Sequence, residues 1–172
     1  MTETVDQKAA TRKVLVVCLG NPDRGDDAIG IMVANALVGR LPADTTLLAR
    51  SGDMTSLIED WVHFDALVCV DAAASAGVAG RIHRIDLATD ELPTEMSFTS
   101  SHAFGLAETV RLARTLDLAP RDIVVYAVEG GSFEVGAPMT PAVVAAIAEV
   151  ADRIVAEFGR LRHGLAEVAH HA

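Results

Sequence analysis

Near-continuous apolar runs alternate along the chain with segments in which apolar residues recur every three or four positions. A continuous apolar run is typical of a strand covered on both faces of a sheet, and the three-to-four spacing is typical of an amphipathic helix. The predicted strands are 14–19, 45–49, 66–70, 81–86 and 123–128, and the predicted helices are 28–41, 54–61, 102–116 and 141–162.

The segment between the third and fourth predicted strands, 72–79, is shorter than the dozen or so residues that a parallel crossover takes. We therefore expect the fourth strand to run antiparallel to the others. Strands alternating with helices then predict a three-layer α/β/α sandwich with a mixed, mostly parallel five-stranded sheet. One domain over 14–163 is expected, with a flexible N-terminal segment, 1–13, and a C-terminal tail, 164–172.

Composition narrows the classes of partner. The formal net charge of −10 disfavours nucleic acid and anionic membranes, both of which attract basic surfaces. No apolar run approaches the ~20 residues of a transmembrane helix, and the N-terminus lacks the apolar region of a secretory signal. We expect a cytoplasmic monomer with no membrane insertion. Cys18 and Cys69 lie in apolar runs without a CxxC partner, which predicts buried core thiols.

A glycine turn with two adjacent carboxylates, Asp26 and Asp27, follows the first predicted strand. The turn, GNPDRG, lacks the Lys-Ser/Thr of a P-loop and the GxGxxG of a dinucleotide fold, and adjacent aspartates repel phosphate. Ligands of open α/β sheets bind at the carboxyl ends of the strands, which is where this turn lies.

Two more polar groups are expected at that edge of the sheet: Asp71, which ends the third predicted strand, and His102, which begins a helix. Carboxylates and an imidazole together suit a divalent ion such as nickel, zinc, iron or manganese. Each residue also has a simpler interpretation. Asp26 is a natural helix N-cap, Asp27 is favoured in a first helical turn, Asp71 can close a turn, and His102 can be a surface residue.

Other catalytic motifs are missing. Ser132 has no GxSxG context, and no HExxH sequence occurs, which disfavours a serine hydrolase and the common zinc peptidases. Glu129 and Glu134 flank a glycine-rich loop, where they either line a cleft or are solvated. His83 has no ligand-like spacing to any other histidine.

Four stretches taken together resemble the hydrogenase maturation proteases, the endopeptidases that trim the C-terminus of the large subunit of nickel–iron hydrogenases. They are GNPDRGDDAIG at 20–30, VDA at 70–72, SSHAFGL at 100–106 and YAVEGGSFEVG at 126–136. They occur in the order of the family and span nearly the whole domain. Some members have Glu where this chain has Asp27, so the shorter side chain changes the reach but keeps the ligand chemistry.

The resemblance implies a mixed five-stranded sheet and a metal-binding cluster of Asp27, Asp71 and His102. It implies that the nickel is carried by the large-subunit precursor, the expected partner, and that another divalent cation can replace it in the isolated protein. Either Asp27 or Asp26 is then a candidate general base, which makes these four residues the expected catalytic set. A non-catalytic nickel-sensing or chaperone-like module for the large subunit is the alternative, and a small-molecule hydrolase of similar fold is a third possibility.

Overall fold

A computed structural model of the chain describes residues 11–51, 54, 56–91 and 106–163. The strands are β1 (Val14–Leu19), β2 (Thr46–Arg50), β3 (Ala66–Ala73), β4 (Ile82–Asp86) and β5 (Asp122–Glu129). The helices are α1 (Ile29–Leu37), α2 (Ser56–Trp61), α3 (Leu106–Thr115) and α4 (Pro141–His163), and a 3₁₀ turn, Gly25–Ala28, leads into α1.

The strands form one sheet in the order β2-β1-β3-β5-β4. Its first four strands are parallel, and β4 pairs antiparallel with β5, placing Ile82 opposite Val128. β4 is therefore antiparallel, as the short connection after β3 predicted. The three-layer α/β/α sandwich with a mixed sheet is confirmed.

Two hydrophobic layers cover the sheet. Alternate residues of β1, β3 and β5 pack with α1 and α4 on one face, and the intervening residues pack with α2 and α3 on the other. Every residue of β1 and β3 is buried, which explains why these strands are apolar without a polar alternation. Cys18 and Cys69 are free thiols on opposite faces of this core, as predicted, and burial raises the pKa of Cys18 to about 12.

Two element boundaries near the expected site differ from the sequence prediction. β3 continues two residues past Asp71, because its ladder with β5 extends to the pair Ala73 and Glu129. Asp71 is therefore inside a strand and does not close a turn. The predicted helix 28–41 is preceded by the 3₁₀ turn and ends at Leu37. The predicted helix start at 102 and the tail 164–172 lie outside the described residues.

Within the part of the chain that the structure describes, no helix is long and apolar enough to cross a membrane.

Candidate functional site

The turn after β1 is built around two close backbone approaches. A Cβ atom on Gly20 would lie 2.2 Å from the carbonyl oxygen of Asp27, and one on Gly25 would lie 2.5 Å from that of Ser132. Gly25 also has a φ of +52°, which L side chains rarely adopt. These glycines let the chain turn back against the sheet, and the 3₁₀ turn then carries Asp26 and Asp27 into the interior.

Asp27 and Asp71 are buried carboxylates on neighbouring elements at the carboxyl edge of the sheet. Asp71 has no exposed surface, and Asp27 has 1%. The Asn21 amide donates to Asp27 Oδ2 at 3.2 Å, and the Ala72 amide donates to Asp71 Oδ1 at 2.8 Å. Asp71 Oδ2 is buried and has no hydrogen-bond partner among the described residues. A buried oxygen in this condition is rare in native proteins, and strain, a catalytic role, a bound water or an ion explains most such cases.

The electrostatics of Asp71 agree with this geometry. Burial, and then the charge of Asp27, raise the pKa of Asp71 well above its usual range, against a smaller lowering by the Ala72 amide. The two carboxylates are therefore close enough to repel each other in a poorly solvated place. A cation between them would replace that repulsion with attraction, and carboxylate oxygens are suitable ligands for a divalent ion.

His102 lies outside the described residues, so of the three expected ligands the structure brings together Asp27 and Asp71. Asp71 is on the sheet face that α3 covers, because it alternates with Cys69 and Ala73 of that layer. The last turn of α3 contacts the residue that follows β4, because Arg114 donates to the Leu87 carbonyl. Among the described residues, no three His, Cys, Asp or Glu side chains cluster as a metal site.

Comparison with known proteins identifies the fold and the family. The hydrogenase maturation protease model matches residues 49–157, well over half of the chain. The chain belongs to this family. It is therefore an enzyme, a hydrolase of peptide bonds that acts in hydrogenase maturation. The matched stretch includes Asp71 and His102, and it begins after Asp27.

Individual relatives agree with this assignment over longer stretches of the chain. The hydrogenase 2 maturation protease of Escherichia coli K12 is 29% identical over 147 residues, which are 84% of this chain and 89% of that protein. The solved structure of the hydrogenase maturating endopeptidase HybD from E. coli has a TM-score of 0.74 at 25% identity, covering 87% of this chain and 93% of that one. The maturation protease HycI from Thermococcus kodakarensis shares the fold, with a TM-score of 0.66 at 20% identity, and covers 88% of this chain and 95% of its own.

Asp26 of this maturation protease has a different environment from Asp27. Its carboxylate is fully buried and accepts hydrogen bonds from three amides, those of Gly131 (2.7 Å), Ser132 (3.0 Å) and Thr140 (2.6 Å). The Thr140 hydroxyl lies 2.9 Å from Oδ2. The 3₁₀ turn that contains Asp26 has no side-chain cap, so the expectation that Asp26 is the N-cap of its own helix is wrong. Asp26 instead ties its turn to the loop 130–140 and to the start of α4.

Glu129 and His83 form a pair that the sequence did not reveal. Glu129 is the last residue of β5, is 1% exposed, and its Oε1 lies 2.7 Å from His83 Nε2. The hydrogen bond from His83 is the main reason that the pKa of Glu129 is lowered. The two residues are 46 positions apart, so no local spacing could show the contact. The β4–β5 register puts His83 opposite Ala127, which makes His83 and Glu129 diagonal neighbours on adjacent strands.

A cavity in the described part of the chain lies elsewhere. It has a volume of about 440 Å³ and lies at the amino ends of β1 and β2, with Phe64, Phe158 and Arg162 in its wall. Because Asp27 and Asp71 are at the opposite edge of the sheet, this cavity is not part of the candidate active site.

Proposed function

We propose that the protein removes a C-terminal peptide from the nickel-loaded precursor of a nickel–iron hydrogenase large subunit. One observation above all supports this within a maturation protease: the buried Asp71 Oδ2, without a hydrogen-bond partner among the described residues, close to the carboxylate of Asp27. The two carboxylates offer oxygen ligands to a cation that arrives with the substrate.

In this proposal Asp27, Asp71 and His102 contact the nickel that the precursor carries, so the ion is cargo of the substrate. Three protein ligands leave coordination positions for substrate atoms, as at catalytic zinc sites. An imidazole beside two carboxylates is a ligand set that suits nickel. His102 precedes α3, the helix that covers the face of the sheet to which Asp71 belongs.

Cleavage of the peptide bond requires a water to attack the scissile carbonyl and a proton to reach the leaving amine. The ion would polarise the carbonyl or the water, and Asp27 would accept the proton of the water as general base. Asp26 is the weaker candidate for this role, because four donor groups already occupy its two oxygens. Asp27 accepts the amide hydrogen bond from Asn21 on one oxygen.

The test is to incubate the purified protein with a nickel-loaded large-subunit precursor and to measure the mass of the subunit. We expect the loss of a C-terminal peptide, and we expect nickel-free precursor to remain intact. A precursor that binds the protein but keeps its mass would support the nickel-sensing module instead. Efficient cutting of the nickel-free precursor would contradict a role for the substrate's metal.

A further inference from the structure

The loop 74–81 follows the strand that carries Asp71 and is exposed along its tip. Residues 75–78 are exposed, and Val78 retains 48% of its surface, which is a large exposure for an apolar side chain. The inner part of the loop is closely packed: a Cβ on Gly80 would lie 2.6 Å from the Ala142 carbonyl oxygen at the start of α4. The loop therefore has a fixed base and an accessible rim.

Glu129 holds this loop through one carboxylate oxygen and through its backbone. Oε2 accepts hydrogen bonds from the amides of Ala76 at 3.1 Å and Val78 at 3.2 Å. The Gly80 amide donates to the Glu129 carbonyl at 2.7 Å, and the Glu129 amide donates to the Arg81 carbonyl at 2.9 Å. The side chain of Glu129 thus holds the tip of the loop, and the backbone of Glu129 holds the base of the loop.

The Glu129 carboxylate has two partners in and next to the edge strand of the sheet. His83 Nε2 is 2.7 Å from Oε1, and the Arg81 guanidinium is 4.0 Å from the same oxygen. A carboxylate with 2% side-chain exposure and no such partners would be costly to bury. His83 and Glu129 therefore form a unit in which the histidine hydrogen-bonds the carboxylate and the carboxylate holds the loop.

This pair is close to the candidate site in the sheet. Ala73 is opposite Glu129 in the β3–β5 ladder, and Asp71 is opposite Ala127. Because side chains alternate along a strand, Asp71 and Glu129 belong to the same face, on adjacent strands and two positions apart. Glu129, which holds the loop, is therefore a diagonal neighbour of Asp71.

We propose that Glu129 is a positioning residue, which holds the loop 74–81 as a docking wall for the precursor polypeptide. This inference rests on the proposed function. Asp27 and Asp71 are at most 1% exposed, so a polypeptide that brings a cation to them must pass the loops at this edge of the sheet. The loop follows the strand that carries Asp71, and its exposed rim, with Val78, would offer apolar contact to the substrate chain.

The decisive variants are Glu129→Ala and Glu129→Gln. Alanine removes the acceptor of the Ala76 and Val78 amides, and we expect KM for the nickel-loaded precursor to rise about tenfold with kcat within about twofold of the wild type, the signature of lost uniform binding. A glutamine can still accept both amides through its oxygen and donate to an unprotonated His83 Nε2. Glu129→Gln should therefore restore KM to near the wild-type value.

A second variant keeps the test valid if Glu129→Ala folds poorly. Val78→Ser changes only an exposed side chain, and we expect KM to rise about threefold with unchanged urea unfolding, since about one buried apolar contact is lost. A wild-type protein that does not cut the precursor would refute the proposed function. A wild-type protein that cuts, with unchanged KM in both Glu129→Ala and Val78→Ser, would refute the docking wall alone, as would a fall in kcat at unchanged KM.

Discussion

Asp26 and Asp71 are both completely buried aspartates at the same edge of the sheet, but their surroundings differ. Asp26 accepts hydrogen bonds from four donor groups across its two oxygens. Asp71 accepts one, from the amide of Ala72, and its second oxygen has no partner among the described residues. Burial alone therefore does not distinguish a structural carboxylate from one that is ready to bind a ligand.

The number of donors that a buried carboxylate accepts from distinguishes a structural carboxylate from one that can bind a ligand. A buried carboxylate whose oxygens are all used stabilises the contacts around it, and removing it leaves several donors unsatisfied. A carboxylate with an unused buried oxygen carries a desolvation cost that only a ligand or a proton relieves. Glu129 and Glu157 belong with Asp26 in this comparison, because both accept several hydrogen bonds.

The largest expected effect is on catalysis. Asp27→Asn, Asp71→Asn and His102→Ala should each reduce processing of the nickel-loaded precursor at least about 100-fold, because losing a ligand to a Lewis-acid ion removes several kcal/mol of transition-state stabilisation. Far-ultraviolet circular dichroism should remain that of the wild type. Normal processing by any of the three would show that the variant residue is not part of the metal contact.

Asp26→Ala should have the largest effect on stability. Three amides and a hydroxyl lose their acceptor, and at roughly 1 kcal/mol for each of these four groups we expect a loss of about 4 kcal/mol in the free energy of unfolding. Urea denaturation measures it. Asp23→Ala is the matched control, since Asp23 is exposed and its carbonyl, which accepts from the Gly136 amide, is retained. A loss within 0.5 kcal/mol for both variants would mean that Asp26 is not structural.

The contribution of a buried carboxylate to stability should change with pH in opposite directions for Asp71, which has an unused oxygen, and Glu157, which is fully hydrogen-bonded. Burial and the charge of Asp27 raise the pKa of Asp71. Between the pKa of this carboxyl in the unfolded chain, about 4, and its higher pKa in the folded protein, the folded protein binds one more proton than the unfolded chain. The contribution of Asp71 to stability therefore falls as the pH rises through this range. Asp71→Asn should remove this trend in urea unfolding of the metal-free protein. An unchanged slope in the variant would assign the trend to another group.

The contribution of Glu157 to stability should change with pH in the opposite direction, and it should stay constant near neutral pH. Burial alone would raise its pKa, but hydrogen bonds from Arg84, Tyr126 and Arg160 outweigh this and lower the pKa to about 2. Its contribution to stability is complete above the ordinary value near 4.5 and is lost as the pH falls toward 2. Glu157→Gln should flatten the acid limb of the unfolding curve in that range. An equally steep acid limb in the variant would contradict the pairing.

The elements around the site were largely predictable, because local signals determine them. The apolar run of β1 predicts a strand buried on both faces, and the glycines after it predict a tight turn. The link before β4 is too short for a parallel crossover, which predicts an antiparallel strand. The contacts that separate Asp26 from Asp71 are long-range, since Asp26 binds residues more than 100 positions later in the chain. The sequence around Asp26 resembles that of a helix cap, and only the folded loop 130–140 shows the competing partners. Likewise, Asp71 is at the end of its apolar run and yet inside a longer strand, because pairing with β5 extends β3.

The measurement that tests the role of Asp71 most directly is a calorimetric titration of Ni²⁺ alone into the wild-type protein, Asp71→Asn and Glu157→Gln. If Asp27 and Asp71 hold a divalent cation, we expect the wild type and Glu157→Gln to bind one ion with equal affinity. Asp71→Asn should bind at least about 30-fold more weakly, which corresponds to about 2 kcal/mol. Equal affinity in Asp71→Asn and the wild type would contradict the assignment of Asp71 as a metal contact.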